Sequence, residues 1–147
     1  MSARINLGTY DASTVLHKPT TAAITASAAG VVGSAAKVLD LGDAISAMKA
    51  KAIVDVAAVS VGTGAKSVIT IQGSDDSFAA DIVTLATVEL GDAGQLVGDV
   101  DQGVGRYELP FTNVHNGAVK RYVRSYATIT VTSPVSSLSY TAYLVPA

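Results

Sequence analysis

The sequence predicts an all-β protein, an antiparallel sandwich or small barrel of about eight strands. Runs rich in Val, Ile and Thr recur along the chain, and Gly, Asn, Asp or Pro residues separate them. One run, Val119 to Thr132, alternates between two kinds of residue with the period of two that is typical of a strand. With 147 residues, the chain has the length of one domain with its own core.

The N-terminal region has the weakest pattern of the chain. We therefore expect residues 1–19 to form an extended N-terminal arm and residues 20–147 to form the single β-sandwich domain. Asp40 to Ala52 carries a helical alternative, a turn or two that Asp43 would cap. The start of the chain lacks the continuous apolar stretch of a secretory signal, so we expect synthesis in a cytoplasm without export by a cleaved signal.

The expected strands follow in order, each bounded by turn residues. They are residues 20–28, 37–41, 51–61, 66–72, 82–90, 106–114, 119–132 and 138–145. The third and fourth flank Gly62-Thr63-Gly64, which predicts a hairpin between them. Asn116-Gly117 predicts a tight turn before the seventh strand.

The composition limits the function. Hydrophobic residues make up 49% of the chain and charged residues 15%, so we expect some apolar surface to be buried against other subunits. The net charge of -2 argues against a general electrostatic grip on nucleic acid. The absence of Cys excludes disulfides, thiolate metal sites and Cys nucleophiles. No early stretch is apolar enough to span a bilayer, so no membrane partner is expected.

The stretch 73–81, GSDDSFAAD, concentrates three carboxylates in a chain of low charge. It lies between two predicted strands, where Asp75 and Asp76 can bond local amides as turn residues do. Phe78 is expected to pin the loop to the edge of the sandwich. Asp81 begins the next strand and need not converge with the other two carboxylates. We interpret the stretch as a structured loop, with a metal site and a catalytic acid pair as alternatives.

Two other loops match binding motifs incompletely. VGTGAKS, residues 61–67, has an alanine where a phosphate-binding loop needs glycine before the lysine, so a turn is favoured. Asp99, Asp101 and Glu108 suggest a calcium loop, but the later ligand positions of an EF-hand are not met. An irregular calcium loop remains the alternative there.

Catalytic patterns are weaker still. His17 and His115 are isolated in the sequence and are interpreted as surface or turn residues. No Gly-x-Ser-x-Gly elbow marks a nucleophile. The sequence therefore predicts no catalytic, cofactor-binding or metal-binding residue, no cofactor, and a protein that is not an enzyme.

The single basic and aromatic cluster lies on the seventh predicted strand. Period-two alternation puts Lys120, Tyr122, Arg124 and Tyr126 on its polar face, opposite an apolar face. These four residues are the candidate interface. A small platform for acidic side chains, sugar or RNA and a plain solvated sheet face are both compatible with the pattern. Given the net charge, we favour a protein–protein interface or a plain sheet face over nucleic acid.

Three phrases occur in order: ITIQGSDDSF, RYVRSYATIT and a terminal YTAYLV. Between Lys51 and Ala147 this series resembles the small decoration, or cement, proteins of tailed-bacteriophage capsids. The resemblance implies a jelly-roll-like β-sandwich that assembles as a homotrimer on the outer capsid surface and binds the major capsid protein. It implies a structural virion protein, made in the host cytoplasm, that stabilises the shell and has no enzymatic activity.

Residues Met1 to Leu39 have no counterpart in that pattern, and an extended arm that reaches a neighbouring subunit is our hypothesis for them. The alternative function is a carbohydrate-binding or host-surface-binding β-sandwich module of a phage tail or fibre. The scarcity of aromatic residues, with no Trp, weighs against carbohydrate binding.

Overall fold

The long strands bury every second side chain, and they form two sheets whose buried faces pack against each other. The computed structural model describes residues 14–19, 23–42, 47–61, 65–91, 103–130 and 136–146. Within these ranges every regular element is a strand. The same ranges contain no helix long and apolar enough to cross a membrane. The strands are β1 (Val15–Pro19), β2 (Ala28–Ala29), β3 (Val31–Gly33), β4 (Ala35–Ala36), β5 (Leu39–Asp40), β6 (Lys49–Ser60), β7 (Lys66–Ser74), β8 (Val83–Gly91), β9 (Gly105–Thr112), β10 (Val114–His115), β11 (Ala118–Val119), β12 (Tyr122–Ile129) and β13 (Ser137–Pro146).

The strands form two large sheets and one small hairpin. The first sheet has six strands in the order β4-β3-β1-β13-β6-β9. The second has five, in which β12 pairs with β2 and β5 on one side and with β7 on the other, and β8 pairs with β7. Strands β10 and β11 form a hairpin at Asn116-Gly117, where φ values of 50° and 81° confirm the predicted turn.

The core lies between the two large sheets. Every second residue of β6 from Ala50 to Val56 is buried, and the same holds in β13 from Leu138 to Leu144. Residues of β7, β8 and β12 face them from the second sheet. The largest fully buried apolar side chains are Leu16, Ile69, Ile71, Leu90, Leu138, Leu144, Val54 and Val123. Each buried side chain of this size contributes roughly 1.5–3 kcal/mol. The predicted all-β sandwich is confirmed, and the jelly-roll connectivity stays a prediction.

The predicted hairpin between residues 51–61 and 66–72 is wrong. Strand β6 pairs with β13 and β9 in the first sheet, whereas β7 pairs with β12 and β8 in the second. Strands β6 and β7 each carry a long apolar face. These faces can be buried if the strands are neighbours in one sheet, and equally if the strands lie in two sheets that face each other across the core. A glycine-rich connection suits either geometry, so the sequence pattern did not distinguish them.

Residues 15–19 do not belong to an N-terminal arm, so the predicted boundary at residue 19 is wrong. Residues 15–19 form β1, which lies inside the first sheet between β13 and β3, and its pairing with β3 is parallel. Leu16 is fully buried in the core, so this segment belongs to the sandwich. The rest of the predicted arm, residues 1–13, lies outside the described residues.

Other predicted elements also differ from the structure. The expected strand at residues 20–28 is reduced, among its described residues, to the start of β2 at Ala28 and an isolated bridge at Ile24. The seventh strand begins at Tyr122, because Ala118–Val119 pairs with Val114–His115 instead of continuing into β12. The helical alternative is wrong at both of its ends, since Asp40 ends β5 and residues 49–52 lie in β6. Its middle, residues 43–46, lies outside the described residues.

Candidate functional site

The acidic stretch between β7 and β8 is a loop held by its own carboxylate. The Asp76 carboxylate accepts hydrogen bonds from the backbone N–H groups of Ala79 (3.1 Å), Ala80 (3.0 Å) and Asp81 (3.0 Å). The Ser74 hydroxyl donates to the same carboxylate at 2.8 Å. These bonds hold the pKa of Asp76 below its ordinary value, and the bond from the Asp81 N–H makes the largest contribution. The predicted structured loop is thus observed, and the Asp76 carboxylate is occupied by backbone donors.

The loop turns back over the second sheet at two residues with left-handed backbone. Ser77 and Phe78 have φ values of 56° and 66°, which are uncommon for residues other than glycine. The Ser74 hydroxyl accepts the Phe78 N–H at 2.9 Å and so fixes this conformation. As a result, the ring of Phe78 lies against Arg124 of β12. Because β12 is paired on both sides, the loop is pinned to the face of the sheet and not, as predicted, to the edge of the sandwich.

Lys120 closes one end of the sandwich. Its ammonium lies 3.2 Å from the Asp75 carboxylate and 3.0 Å from that of Asp81. The hydrogen bond to Asp81, with a smaller one to Asp75, raises the pKa of Lys120. A side chain at Gly73 would meet the Lys120 stem and the end of Leu85, so this stem lies on the inward side of β7. Two of the loop carboxylates, those of Asp75 and Asp81, therefore converge on one ammonium, a convergence that the sequence pattern did not require of Asp81.

Lys120 does not share the outward face of β12, so the predicted set of four is corrected to three. Lys120 precedes the strand, and its backbone forms two hydrogen bonds with Asn113. The Lys120 N–H donates to the Asn113 backbone carbonyl at 2.8 Å, and the side-chain amide of Asn113 donates to the Lys120 carbonyl at 3.2 Å. This pairing bends the chain before Tyr122. The alternation of inward and outward residues along β12 therefore does not extend to Lys120. It predicts an outward side chain there, but the side chain is only 9% exposed.

The neighbouring arginine turns outward instead. Arg121 binds the Asp40 carboxylate through Nε at 2.8 Å and Nη2 at 3.0 Å, and its guanidinium lies 5.0 Å from the centre of the Tyr122 ring. The hydrogen bond from Arg121 is the largest cause that lowers the pKa of Asp40. This pair anchors β5 to the start of β12.

The centre of the outward face is Arg124. Its guanidinium lies 4.1 Å from the centre of the Phe78 ring and 5.2 Å from that of Tyr126, and its Nε donates to the Gln72 side-chain oxygen at 2.9 Å. Gln72 lies directly opposite Arg124 in the β7–β12 pairing. We call Tyr122, Arg124, Tyr126, Gln72 and Phe78 the β12 face. Together they form an aromatic surface around one cation, with every member half-buried.

Sequence reasoning identified three members of the β12 face and missed Gln72. Only the register of β7 against β12 places Gln72 beside Arg124, and that register depends on pairing between distant segments. Phe78 was assigned to the sandwich edge without a partner. A search for outward polar residues on neighbouring strands could have found Gln72 had the pairing of the two strands been predicted.

The other candidates from the sequence have structural partners or lie outside the described residues. Glu108 pairs with Lys51 at 3.4 Å, whereas Asp99 and Asp101 are outside the described part. Among the described residues, no group of three or more His, Asp or Glu side chains could hold a metal ion. His115 lies in β10 beside the turn. His17 is buried at 2% exposure, so its assignment to the surface or a turn is wrong.

No protein-family model, curated protein or solved structure matches this chain.

Proposed function

We propose that this protein is a capsid decoration protein, a structural virion protein that binds the major capsid protein on the outer surface of a phage shell. One observation carries the proposal. The phrases ITIQGSDDSF and RYVRSYATIT, on which the resemblance to cement proteins rests, are neighbouring segments that together build the β12 face. The third phrase, YTAYLV, runs through β13 in the opposite sheet. The segments of the resemblance thus supply both a surface and its support.

The chemistry of the β12 face suits a protein partner. Tyrosine and arginine are the residue types most enriched at the energetic centres of protein interfaces. Here the arginine is already ordered: the loop holds Phe78 through Ser74 and Asp76, and Phe78 in turn covers Arg124. A preordered surface loses less side-chain entropy on binding than a mobile one.

A decoration protein acts through binding free energy alone. A subunit that contacts two or more shell subunits adds its own binding energy to theirs, and a homotrimer multiplies this effect through its linked sites. The expected consequence is a shell that resists internal pressure and heat better than a bare one. No chemical step is required of any residue.

The test uses undecorated shells of the major capsid protein encoded with this chain. We expect the purified protein to sediment with the shells, to saturate at a copy number set by the lattice, and to raise the temperature at which the shells release DNA. Tyr122→Ala should weaken this binding. Tyr143→Ala, on the outward side of the first sheet, is the matched control and should not. Absence of saturable binding would refute the proposal, and glycan-array binding without shell binding would favour the tail or fibre module.

A further inference from the structure

Arg124 differs from the other two arginines whose side chains are described. Arg106 binds the Asp55 carboxylate through Nε at 2.8 Å and Nη2 at 3.2 Å, and Arg121 binds Asp40 in the same two-pronged way. Within the described residues, no carboxylate lies within ion-pair distance of Arg124, whose one hydrogen bond goes to the neutral Gln72 amide. Its two terminal NH₂ groups retain four donors.

Arg124 is nevertheless held in a fixed position. The guanidinium is covered by the Phe78 ring at 4.1 Å, flanked by Tyr126 at 5.2 Å and fixed at Nε by Gln72. Partial burial lowers the pKa of Arg124, because the guanidinium is partly removed from water. A guanidinium in this state is prepared to bind an anion through a pair of parallel hydrogen bonds.

The surrounding charges select the kind of anion. The adjacent loop contributes the carboxylates of Asp75, Asp76 and Asp81, and a single ammonium, that of Lys120 beside β12, lies against two of them. A phosphate group would bring up to about two negative charges next to this acidic loop, and a nucleic-acid backbone would bring one for every nucleotide. A singly charged carboxylate balances Arg124 with the least repulsion from the loop.

We propose that Arg124, between Phe78 and Tyr126, is a binding site for a single carboxylate, an Asp or Glu side chain of a partner protein. The two rings provide apolar surface for the methylene groups of that side chain, and the terminal NH₂ groups bind its oxygens. As part of the proposed decoration function, and resting on it, the acidic residue belongs to the outward surface of the major capsid protein.

The carboxylate site can be tested on the purified protein without any shell. The probe is acetate, titrated against the arginine Nε–H signals in nuclear magnetic resonance spectra, with sodium chloride at equal ionic strength as the reference. We expect a saturable shift of the Arg124 signal with acetate. The chemical shifts of Arg106 and Arg121 should not change, because their side chains already bind the carboxylates of Asp55 and Asp40. An Arg124 signal that responds equally to acetate and chloride, or to phosphate alone, would overturn the inference.

The partner is tested with shells. Arg124→Gln should weaken shell binding about 10- to 100-fold, the loss expected when a charge-assisted hydrogen bond is removed from an interface. Arg124→Lys should recover only part of it, because an ammonium lacks the two-pronged geometry. Arg106→Gln, the matched charge change on the first sheet, should bind as the unaltered protein does.

The two proposals fail in different ways. Shell binding that is unchanged in Arg124→Gln would overturn the carboxylate site and leave the decoration function intact. Absence of shell binding by the unaltered protein would overturn the decoration function and the identity of the partner. The acetate titration would then decide the carboxylate site by itself.

Discussion

Lowering the pH from about 7 to about 4 is expected to destabilise the sandwich through His17. The imidazole is buried between strands: Nδ1 accepts the Val31 N–H at 3.0 Å, and the ring stacks on Tyr140 with centroids 4.1 Å apart. Protonation would remove that acceptor and place a charge in the interior. Burial accordingly lowers the pKa of His17 from 6.5 to about 4.

The direction of the effect follows from proton binding. Between pH 6.5 and about 4 the unfolded chain binds the proton and the folded chain does not. His17 therefore does not weaken the fold above pH 6.5, destabilises it increasingly as the pH falls to about 4, and adds no further loss below that. Tyr140 stays neutral throughout, because burial raises its pKa to about 12. The difference in pKa corresponds to at most about 3–4 kcal/mol, and local relaxation with entry of water around the charged ring reduces the expected loss to about 1–2 kcal/mol.

The assay is urea unfolding at several pH values for the unaltered protein and for His17→Gln. The glutamine oxygen can accept the Val31 N–H but does not titrate, so the variant should lose less stability between pH 6.5 and 4. Carboxylates contribute equally to both proteins, and the difference between them isolates His17. His115→Gln is the control and should follow the unaltered protein. Parallel losses in all three proteins would refute the reasoning.

The remaining predictions concern the backbone. Gly30→Ala should destabilise the fold by about 2 kcal/mol or more, because its methyl group would overlap the Leu16 carbonyl oxygen and the Ser125 hydroxyl. Gly103→Ala is its control, because no atom of the described residues lies within 4 Å of the added methyl group, and equal unfolding midpoints for the two variants would contradict the packing argument. Asp76→Ala should speed amide hydrogen exchange at residues 79–81, whose N–H groups its carboxylate accepts. Unchanged exchange there would show that the loop does not depend on this carboxylate.

The sequence predicted what depends on local pattern. Alternation along β12 identified Val123 and Ala127 as inward and Tyr122, Arg124 and Tyr126 as outward, and the buried side chains agree. The tight turn at residues 116–117 was equally predictable, because the required positive φ values favour Asn and Gly. Such features need only neighbouring residues to be specified.

The parts that failed depend on contacts between distant segments. Lys120 meets Asp75 across 45 residues of sequence, and alternation has no means of anticipating that contact. The wrong hairpin has the same origin, since the apolar faces of β6 and β7 do not specify which sheet each strand joins. His17 appeared isolated because its contacts come from β3 and β13. Three of the five residues of the β12 face were thus identified from the sequence, but the geometry of the face required the register of β7 against β12.

An electron cryo-microscopy reconstruction of shells mixed with the purified protein tests the central claim most directly. We predict density for this protein at regular lattice positions, with the β12 face against the major capsid protein and an acidic side chain in contact with Arg124. Bare shells, or attachment through the outward side of the first sheet, would contradict it.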